Sequence, residues 1–139
     1  MTQSTPYVSR SLFVSLPVRD LARSVAFFTK LGFAFDAERT NDRAACMSIG
    51  ANAFAMLLDE PLFATFTDRA VCDTRTHVEA LHSFSCESRA EVDALVKSAI
   101  SLGARASGEP TDHGAMYDWG FYDLDGHGWG VFSTGTAKE

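Results

Sequence analysis

Side chains that could perform chemistry are few in this chain, and the most suggestive of them lie between Asp112 and His127. Asp118 could orient a ligand through a charge-assisted hydrogen bond, and Tyr122 through its hydroxyl. No nucleophile with a neighbouring base, no glycine-rich phosphate loop after a strand and no C-x-x-C motif accompanies them. These residue types favour ligand binding, while acid–base catalysis through Asp118, Tyr122 or His113 stays open.

Asp123 and Asp125 stand in a D-x-D-G sequence that has part of the pattern of a calcium loop. The other oxygen ligands and the closing glutamate of such a loop are missing. We therefore interpret residues 123–126 as a tight turn between two strands, with Gly126 free to adopt a positive φ. His127 is assigned to this hairpin, its ring covering the sheet. His82 is assigned to a strand, packed under a helix or at a sheet edge.

The strand that follows this turn has one bulky face and one nearly bare face. Alternation places Trp129 and Val131 on the bulky face, and Gly128 and Gly130 on the other. A strand that presents glycines leaves room there for another backbone or for a ligand. The same alternation, carried across the hairpin from Gly130, predicts that the open side also carries Met116, Asp118, Gly120 and Tyr122. His113 and Tyr117 are expected to flank this side.

Composition excludes several classes of protein. The 139 residues are 46% hydrophobic and have a formal net charge of −6, which is typical of one globular domain. The absence of a basic cluster disfavours nucleic-acid binding, and no apolar run approaches the length of a membrane span. The N-terminus lacks the hydrophobic segment of a secretion signal, and three widely spaced cysteines suggest reduced thiols. We therefore expect a cytoplasmic protein without nucleic-acid or membrane partners.

The chain divides into a repeated pattern. We predict an N-terminal tail (1–10), a first βαβββ module (11–59), a linker (60–78) and a second βαβββ module (79–134). The first helix is predicted to begin after Asp20 and the second after Ser88, which forms a capping box with Glu91. A shift of 71 positions superimposes Gly103 on Gly32, at the ends of these helices, and aligns three apolar positions. The predicted fold class is therefore α+β, with two modules that must pack together or share a sheet.

The linker contains a short helical piece and two phenylalanines, Phe63 and Phe66, that we expect to fold back onto the core. A loop of this length often covers a binding site, although a simple connector explains the sequence equally well.

Two segments resemble a known superfamily. Residues 16–33 (LPVRDLARSVAFFTKLGF) resemble the first module of the glyoxalase/bleomycin resistance/extradiol dioxygenase proteins, the vicinal oxygen chelate fold. Residues 88–93 (SRAEVD) and 123–129 (DLDGHGW) resemble the second. The resemblance implies curved mixed sheets around a cavity, with the helices outside, often completed across a homodimer.

Enzymes of this superfamily bind a divalent metal through four side chains on the cavity floor, and the matching positions here do not fit that role. The resemblance places Phe13, Leu81 and Gly130 at three of the positions, and strand 53–58 at the fourth. None of these residues offers the nitrogen or oxygen ligand that such ions require. Shifting the alignment with the superfamily by one residue would place only one possible metal ligand, His82, at these positions. We therefore expect no metal and no cofactor.

The expected cavity is apolar on one wall and polar on the other, which suits a small hydrophobic or aromatic molecule. The residues predicted to bind this ligand are Phe13, Ser15, Met56, Phe63, Phe66, Ser83, Met116, Asp118, Tyr122 and Gly130. The leading hypothesis is a metal-free protein that sequesters its ligand, as bleomycin-resistance-like members do. The alternative is a lactoylglutathione-lyase-like isomerase or a dioxygenase with a non-standard site. Whether the modules pair within one chain or between chains stays open.

Overall fold

The computed structural model describes residues 9–135, so most of the predicted tail lies outside the described residues. The first module contains β1 (Leu12–Val18), α1 (Leu21–Leu31), β2 (Ala34–Asp36), a 3-10 turn (Ala37–Arg39), β3 (Ala44–Gly50) and β4 (Ala53–Asp59). Its four strands form a mixed sheet in the order β1-β4-β3-β2, in which β1 runs parallel to β4. We call this sheet A.

The second module repeats this plan after a linker that begins with the short helix α2 (Glu60–Ala64). Its elements are β5 (Leu81–Ser85), α3 (Arg89–Ser101), β6 (Arg105–Ala106), β7 (Thr111–Asp112), β8 (Tyr117–Tyr122) and β9 (Gly128–Ser133). The strand order β5-β9-β8-β6 matches that of sheet A, with β5 parallel to β9. We call this sheet B. The polar composition of residues 108–114 predicts a loop, but the structure places strand β7 within this segment, paired with β8.

The structure confirms the predicted caps at the beginning and end of both main helices. The Asp20 carboxylate accepts from the backbone N–H of Arg23, and the Ser88 hydroxyl accepts from that of Glu91. Gly32 ends α1 with φ +108°, and Gly103 follows α3 with φ +113°. Each cap satisfies backbone groups that a helix terminus leaves unpaired, which is why these short helices begin and end where they do.

Both main helices lie between the two sheets. Helix α1 packs on sheet A, and its rings also reach sheet B: Phe27 lies 6.3 Å from Phe121 and Phe28 lies 5.5 Å from Trp129, between ring centroids. Helix α3 contributes Val92 and other buried residues to the same continuous core. The modules of one chain therefore pack back to back through their helices.

Buried polar contacts tie the first module to the hairpin of the second. The Asp125 carboxylate accepts from the backbone N–H of Arg19 at 3.0 Å and from the Ser24 hydroxyl at 3.1 Å. His127, which is 0% exposed, contacts the Pro17 carbonyl oxygen through Nε2 at 2.7 Å and Glu79 through Nδ1 at 3.0 Å. The sequence placed His127 over the sheet, whereas the structure buries it between the modules.

The electrostatics of His127 reflect this position. Burial alone would lower its pKa, but the Asp123 charge, the Pro17 carbonyl and Glu79 outweigh burial and raise the pKa above its ordinary value. Asp123 is itself buried, and burial raises the pKa of its carboxyl group. A protonated imidazole here can donate to both of its partners at once.

The α+β architecture with two βαβββ modules is confirmed. Within the described residues, no helix is both long and apolar enough to cross a lipid bilayer.

Candidate functional site

The face of sheet A that points away from the helices carries an aromatic and apolar patch. Phe13 and Ser15 of β1 pair in register with Phe54 and Met56 of β4, so all four share this face. The rings of Phe13 and Phe54 stack with centroids 4.7 Å apart. The guanidinium of Arg39, from the 3-10 turn, lies 5.5 Å above the Phe13 ring. Phe13 is 41% exposed, so the patch is accessible in the single chain.

The corresponding face of sheet B holds a groove of about 230 Å³. Its floor consists of glycines from the two central strands, and its sides carry polar groups and one large apolar side chain. The lining includes Leu81, Ser83, Glu109, Thr111, Asp118, Gly120, Tyr122, Gly128 and Gly130. The period-2 alternation of β8 and β9 produces this face, because every second residue of each strand points outward.

Gly120 and Gly130 pair across β8 and β9, and the space beside them is narrow. A Cβ atom at Gly130 would stand 2.6 Å from the Ser83 hydroxyl oxygen, and one at Gly120 would stand 2.6 Å from the Trp129 carbonyl oxygen. The space beside Gly130 is thus filled in part by Ser83, a side chain that can rotate. The space beside Gly120 is closed by backbone.

The two outward faces point in opposite directions, because the helices and the shared core lie between the sheets. Phe13, Ser15 and Met56 therefore form one group, and the groove residues Ser83, Asp118, Tyr122 and Gly130 form another. The groove itself is lined only by residues of the second module. One chain does not bring the two groups together.

Three of the predicted ligand residues lie outside both groups. Phe66 is 72% exposed on the linker and does not fold back onto the core. Phe63 lines a separate cavity of about 250 Å³ under the linker, beside Pro17 and Val71. Met116 precedes β8 in a turn, where its carbonyl accepts from the backbone N–H of His113 at 2.7 Å, so strand alternation does not apply to it.

The rim of the groove carries the His113–Asp118 contact, with Nε2 and Oδ1 3.4 Å apart. Tyr117, expected at the mouth, instead points to the helix side, where its hydroxyl donates to Asp93 of α3 at 2.6 Å. This hydrogen bond raises the pKa of Tyr117 to about 12, since ionisation would set two negative charges side by side. Trp119 donates through its indole N–H to the Gly108 carbonyl.

The residues at the expected metal positions do not fit a divalent ion. Phe13, Leu81 and Gly130 supply no ligand atom, and Phe54 and Met56 are the outward residues at the centre of β4. No group of three or more His, Cys, Asp or Glu residues in the described range 9–135 could hold an ion. His82 is turned toward Trp129, 5.3 Å between ring centroids, and burial lowers its pKa.

Several site residues escaped sequence reasoning. Phe54 shares the alternation of Met56 and could have been found from it. Arg39 comes from a 3-10 turn, and Glu109 and Thr111 from a segment interpreted as a polar loop, so no periodic signal identified them. Leu81, which the resemblance places at a metal position, is 69% exposed and forms the side of the groove.

The three cysteines are free thiols. Cys46 is buried in β3, while Cys72 and Cys86 are partly accessible. Burial raises the pKa of Cys86 to about 11, which leaves its thiol protonated and a poor nucleophile near neutral pH.

Comparison with known proteins gives a family match and a set of similar structures. Residues 10–50 match the family model for "Bleomycin resistance protein-like N-terminal". No curated protein sequence matches the chain.

The solved structures similar to this chain share its whole architecture. A hypothetical protein of Staphylococcus aureus is 26% identical with a TM-score of 0.78, over 91% of this chain and 95% of that one. A glyoxalase/bleomycin resistance protein/dioxygenase family enzyme of Burkholderia phytofirmans is 17% identical with a TM-score of 0.73, over 88% and 96%. A fosfomycin resistance protein of Listeria monocytogenes is 19% identical with a TM-score of 0.65, over 95% and 98%. These likenesses establish the fold.

Proposed function

We propose that this chain binds a small hydrophobic or aromatic molecule without a metal. Its fold is that of glyoxalase/bleomycin resistance/dioxygenase proteins, and its residues 10–50 match a bleomycin resistance protein-like family model. The observation that carries this proposal is the pair of outward faces. Sheet A offers stacked, accessible aromatic rings, and sheet B offers a groove floored by glycine. Facing each other, they would form an apolar wall and a polar wall, the usual character of a small-molecule pocket.

Such a pocket requires two copies of the chain, so the proposal includes a homodimer. Strands β1 and β5 are both edge strands, and each exposes apolar side chains near its edge: Leu12 and Phe13 on β1, and Leu81 on β5. An exposed apolar edge favours pairing with another strand. In a two-fold dimer, sheet A of one copy meets sheet B of the other, and the contact repeats to give two equal cavities.

The ligand contacts follow from the residues on each wall. Phe13, Phe54 and Met56 would pack on an aromatic or aliphatic body, since offset-stacked rings add to the gain from apolar burial. Asp118 and Tyr122 would orient polar groups of the ligand from the other wall. Sequestration requires only affinity, so no covalent step is needed.

The enzymatic alternative requires an ion that these residues do not fit. A lactoylglutathione-lyase-like or dioxygenase-like reaction relies on a Lewis acid, and Phe13, Leu81 and Gly130 offer it no ligand. Elemental analysis of protein purified without chelators is expected to show less than one metal equivalent per chain. A full equivalent of Ni, Zn, Mn or Fe, with activity on a thiohemiacetal or a catechol, would contradict the proposal.

Binding is tested with a neutral fluorescent probe, N-phenyl-1-naphthylamine, followed by a thermal-shift screen of aromatic compounds. Phe13→Asp places a charge in the apolar wall, and Ser83→Phe fills the groove. Each variant is expected to weaken probe binding at least tenfold, which corresponds to about 1.4 kcal/mol. The matched controls Ile100→Asp and Lys97→Phe lie on the exposed side of α3 and should bind like the wild type. Equal losses in the controls would contradict the placement of the pocket.

A mixing experiment tests whether the cavity lies between subunits. In a mixed dimer of Phe13→Asp and Ser83→Phe chains, one cavity receives both substitutions and the other receives neither. Dissociating and reassociating the two variants together should restore about a quarter of the wild-type capacity, since half of randomly assorted dimers are mixed and each has one intact cavity. No recovery, with dimers confirmed by light scattering, would show that each site belongs to one chain.

A further inference from the structure

A second cavity, of about 340 Å³, lies at the junction of the two modules and the linker. Its walls come from the connection between β1 and α1, the linker residues 74–78, strand β6, and the end of β8 with the tip of the β8–β9 hairpin. Three of the twelve lysine and arginine residues line it, although the chain as a whole is acidic. The lining consists of Arg19, Thr74, Arg75, Thr76, His77, Val78, Arg105, Tyr122, Asp123, Leu124 and Gly126.

Arg19 is held in place over the hairpin tip. Its Nη2 donates to the Leu124 carbonyl oxygen at 3.1 Å, and its Nε lies 3.4 Å from the Asp125 carboxylate. A guanidinium has five N–H donors, so these contacts leave donors for a ligand. Fixing the side chain beforehand reduces the entropy that binding must overcome.

Arg105 supplies a positive charge that the described residues do not neutralise. It lies exposed on β6, and within residues 9–135 its guanidinium forms no hydrogen bond or ion pair. Arg75 differs, because both Nε and Nη2 contact the Asp73 carboxylate, so that pair is close to neutral. Tyr122 adds a hydroxyl that is likewise without a hydrogen bond in the described part of the chain.

The one carboxylate in the lining is turned away from the cavity. Asp123 is buried, and its two oxygens accept from the backbone N–H groups of Asp125 and His127 and from the Trp129 indole. The lining therefore presents mainly hydrogen-bond donors, which is the arrangement that an anion requires.

The cavity walls are also pinned to one another. The Thr74 hydroxyl donates to the Asp125 carbonyl, and a Cβ at Gly126 would overlap the Thr74 carbonyl oxygen. The linker thus lies directly against the hairpin tip and cannot collapse into the cavity without breaking this contact.

We propose that this cavity is a binding site for an oxyanion, a phosphate or carboxylate group of a small molecule, with Arg19 and Arg105 as its principal donors and Tyr122 and His77 beside them. Bidentate guanidinium contacts suit both groups, since each presents two oxygens in one plane. The site adjoins the groove on sheet B, with which it shares Tyr122, but Arg19, His77 and Arg105 line this cavity and not the groove. It does not depend on dimer formation or on the proposed aromatic ligand.

The test is a titration of the wild-type protein at constant ionic strength with inorganic phosphate, pyrophosphate and succinate in separate arms. Binding is followed by calorimetry and by the amide NMR shifts of residues 74–78 and 122–126. We expect at least one arm to show saturable binding, and the arm that does so identifies the oxyanion. Arg105→Gln should weaken it about tenfold, the effect of losing one charge-assisted contact.

Arg69→Gln is the matched control, since Arg69 is an exposed linker arginine outside the cavity lining. It should leave the affinity unchanged, and N-phenyl-1-naphthylamine binding should be unchanged in both variants. Absence of saturable binding in all three arms would overturn the proposal. An equal loss in Arg69→Gln would overturn it too, because it would show that the anions respond only to overall charge.

Discussion

At the scale of single residues, glycines decide where backbone segments can approach one another. Gly126 and Gly114 both have positive φ, +88° and +86°, a conformation that costs an L-residue about 1–2 kcal/mol. They differ in their surroundings. A Cβ at Gly126 would overlap the Thr74 carbonyl, whereas nothing lies within 4 Å of one at Gly114. The same backbone angle therefore has different consequences at the two sites.

We expect Gly126→Ala to destabilise the chain by about 3 kcal/mol, because it adds a steric clash to the cost of the backbone angle. Gly114→Ala, the control, should cost only about 1 kcal/mol. Urea unfolding of both variants measures the difference. Equal losses would mean that the linker does not press on the hairpin tip.

Gly130 shows what residue-scale reasoning captures and what it misses. The sequence pattern correctly predicted that its face would be bare and that Asp118 and Tyr122 would share it. It did not predict that Ser83, from β5, would fill part of that space. The alternation of residue types shows which side chains of one strand share a face. Which residue of β5 lies beside Gly130 depends on the register of the parallel β5–β9 pair, which the alternation does not fix.

At the scale of elements, α3 fixes the loop that borders the groove. Arg89, in the first turn of α3, forms an ion pair with Asp112 at 2.7 Å and donates to the Gly114 carbonyl at 3.1 Å. Its guanidinium also lies 5.2 Å from the centroid of the Tyr117 ring. The Arg89 side chain is only 12% exposed, whereas that of Asp112 is 55% exposed, so water screens the ion pair in part.

Arg89→Gln is expected to reduce the free energy of unfolding by about 2 kcal/mol, mainly through lost charge-assisted hydrogen bonds. Hydrogen exchange should accelerate most in residues 111–117, which it anchors. Lys97→Gln, on the exposed side of the same helix, serves as the control and should change neither quantity. Uniform acceleration across the chain would indicate that Arg89 supports the whole fold and not this loop.

Most elements were predictable because their signals are local. Caps at Asp20 and Ser88, a glycine after each helix and period-2 strands depend on neighbours a few residues away. Strand β7 was missed because it is two residues long and forms only by pairing with β8. Its existence depends on a partner distant in sequence, which no local pattern encodes.

At the scale of the whole molecule, buried polar contacts join the two modules. His127 links Pro17 of the first module to Glu79 of the second, and its pKa is raised in the folded chain. A raised pKa means that the protonated imidazole stabilises the fold. This contribution is fully present below the unfolded pKa of about 6.5 and is lost as the pH rises through the folded pKa.

We therefore expect the stability difference between wild type and His127→Gln to shrink as the pH rises above about 6.5. Urea unfolding at several pH values measures this difference, with the exposed His77→Gln as the control. His82 has the opposite sign, since burial lowers its pKa, and it is present in every variant. Removing the His127 charge relieves only a smaller cause of that lowering, so the burial effect on His82 is common to both proteins. A difference independent of pH would show that His127 stays neutral.

The sequence alone determined the α+β class and the repeated module, because the periodicity of hydrophobic residues and the helix caps are local properties. It also determined that the residues at the expected metal positions do not fit an ion, because that follows from the chemistry of their side chains. Only the tertiary structure decided that the helices lie between the sheets, that Phe13 and Gly130 face opposite directions, and that His127 is buried between the modules. It also brought Arg19, His77 and Arg105 to one cavity. These relations depend on which apolar faces pack against each other in three dimensions. A single sequence does not indicate which residues distant in the chain form such contacts.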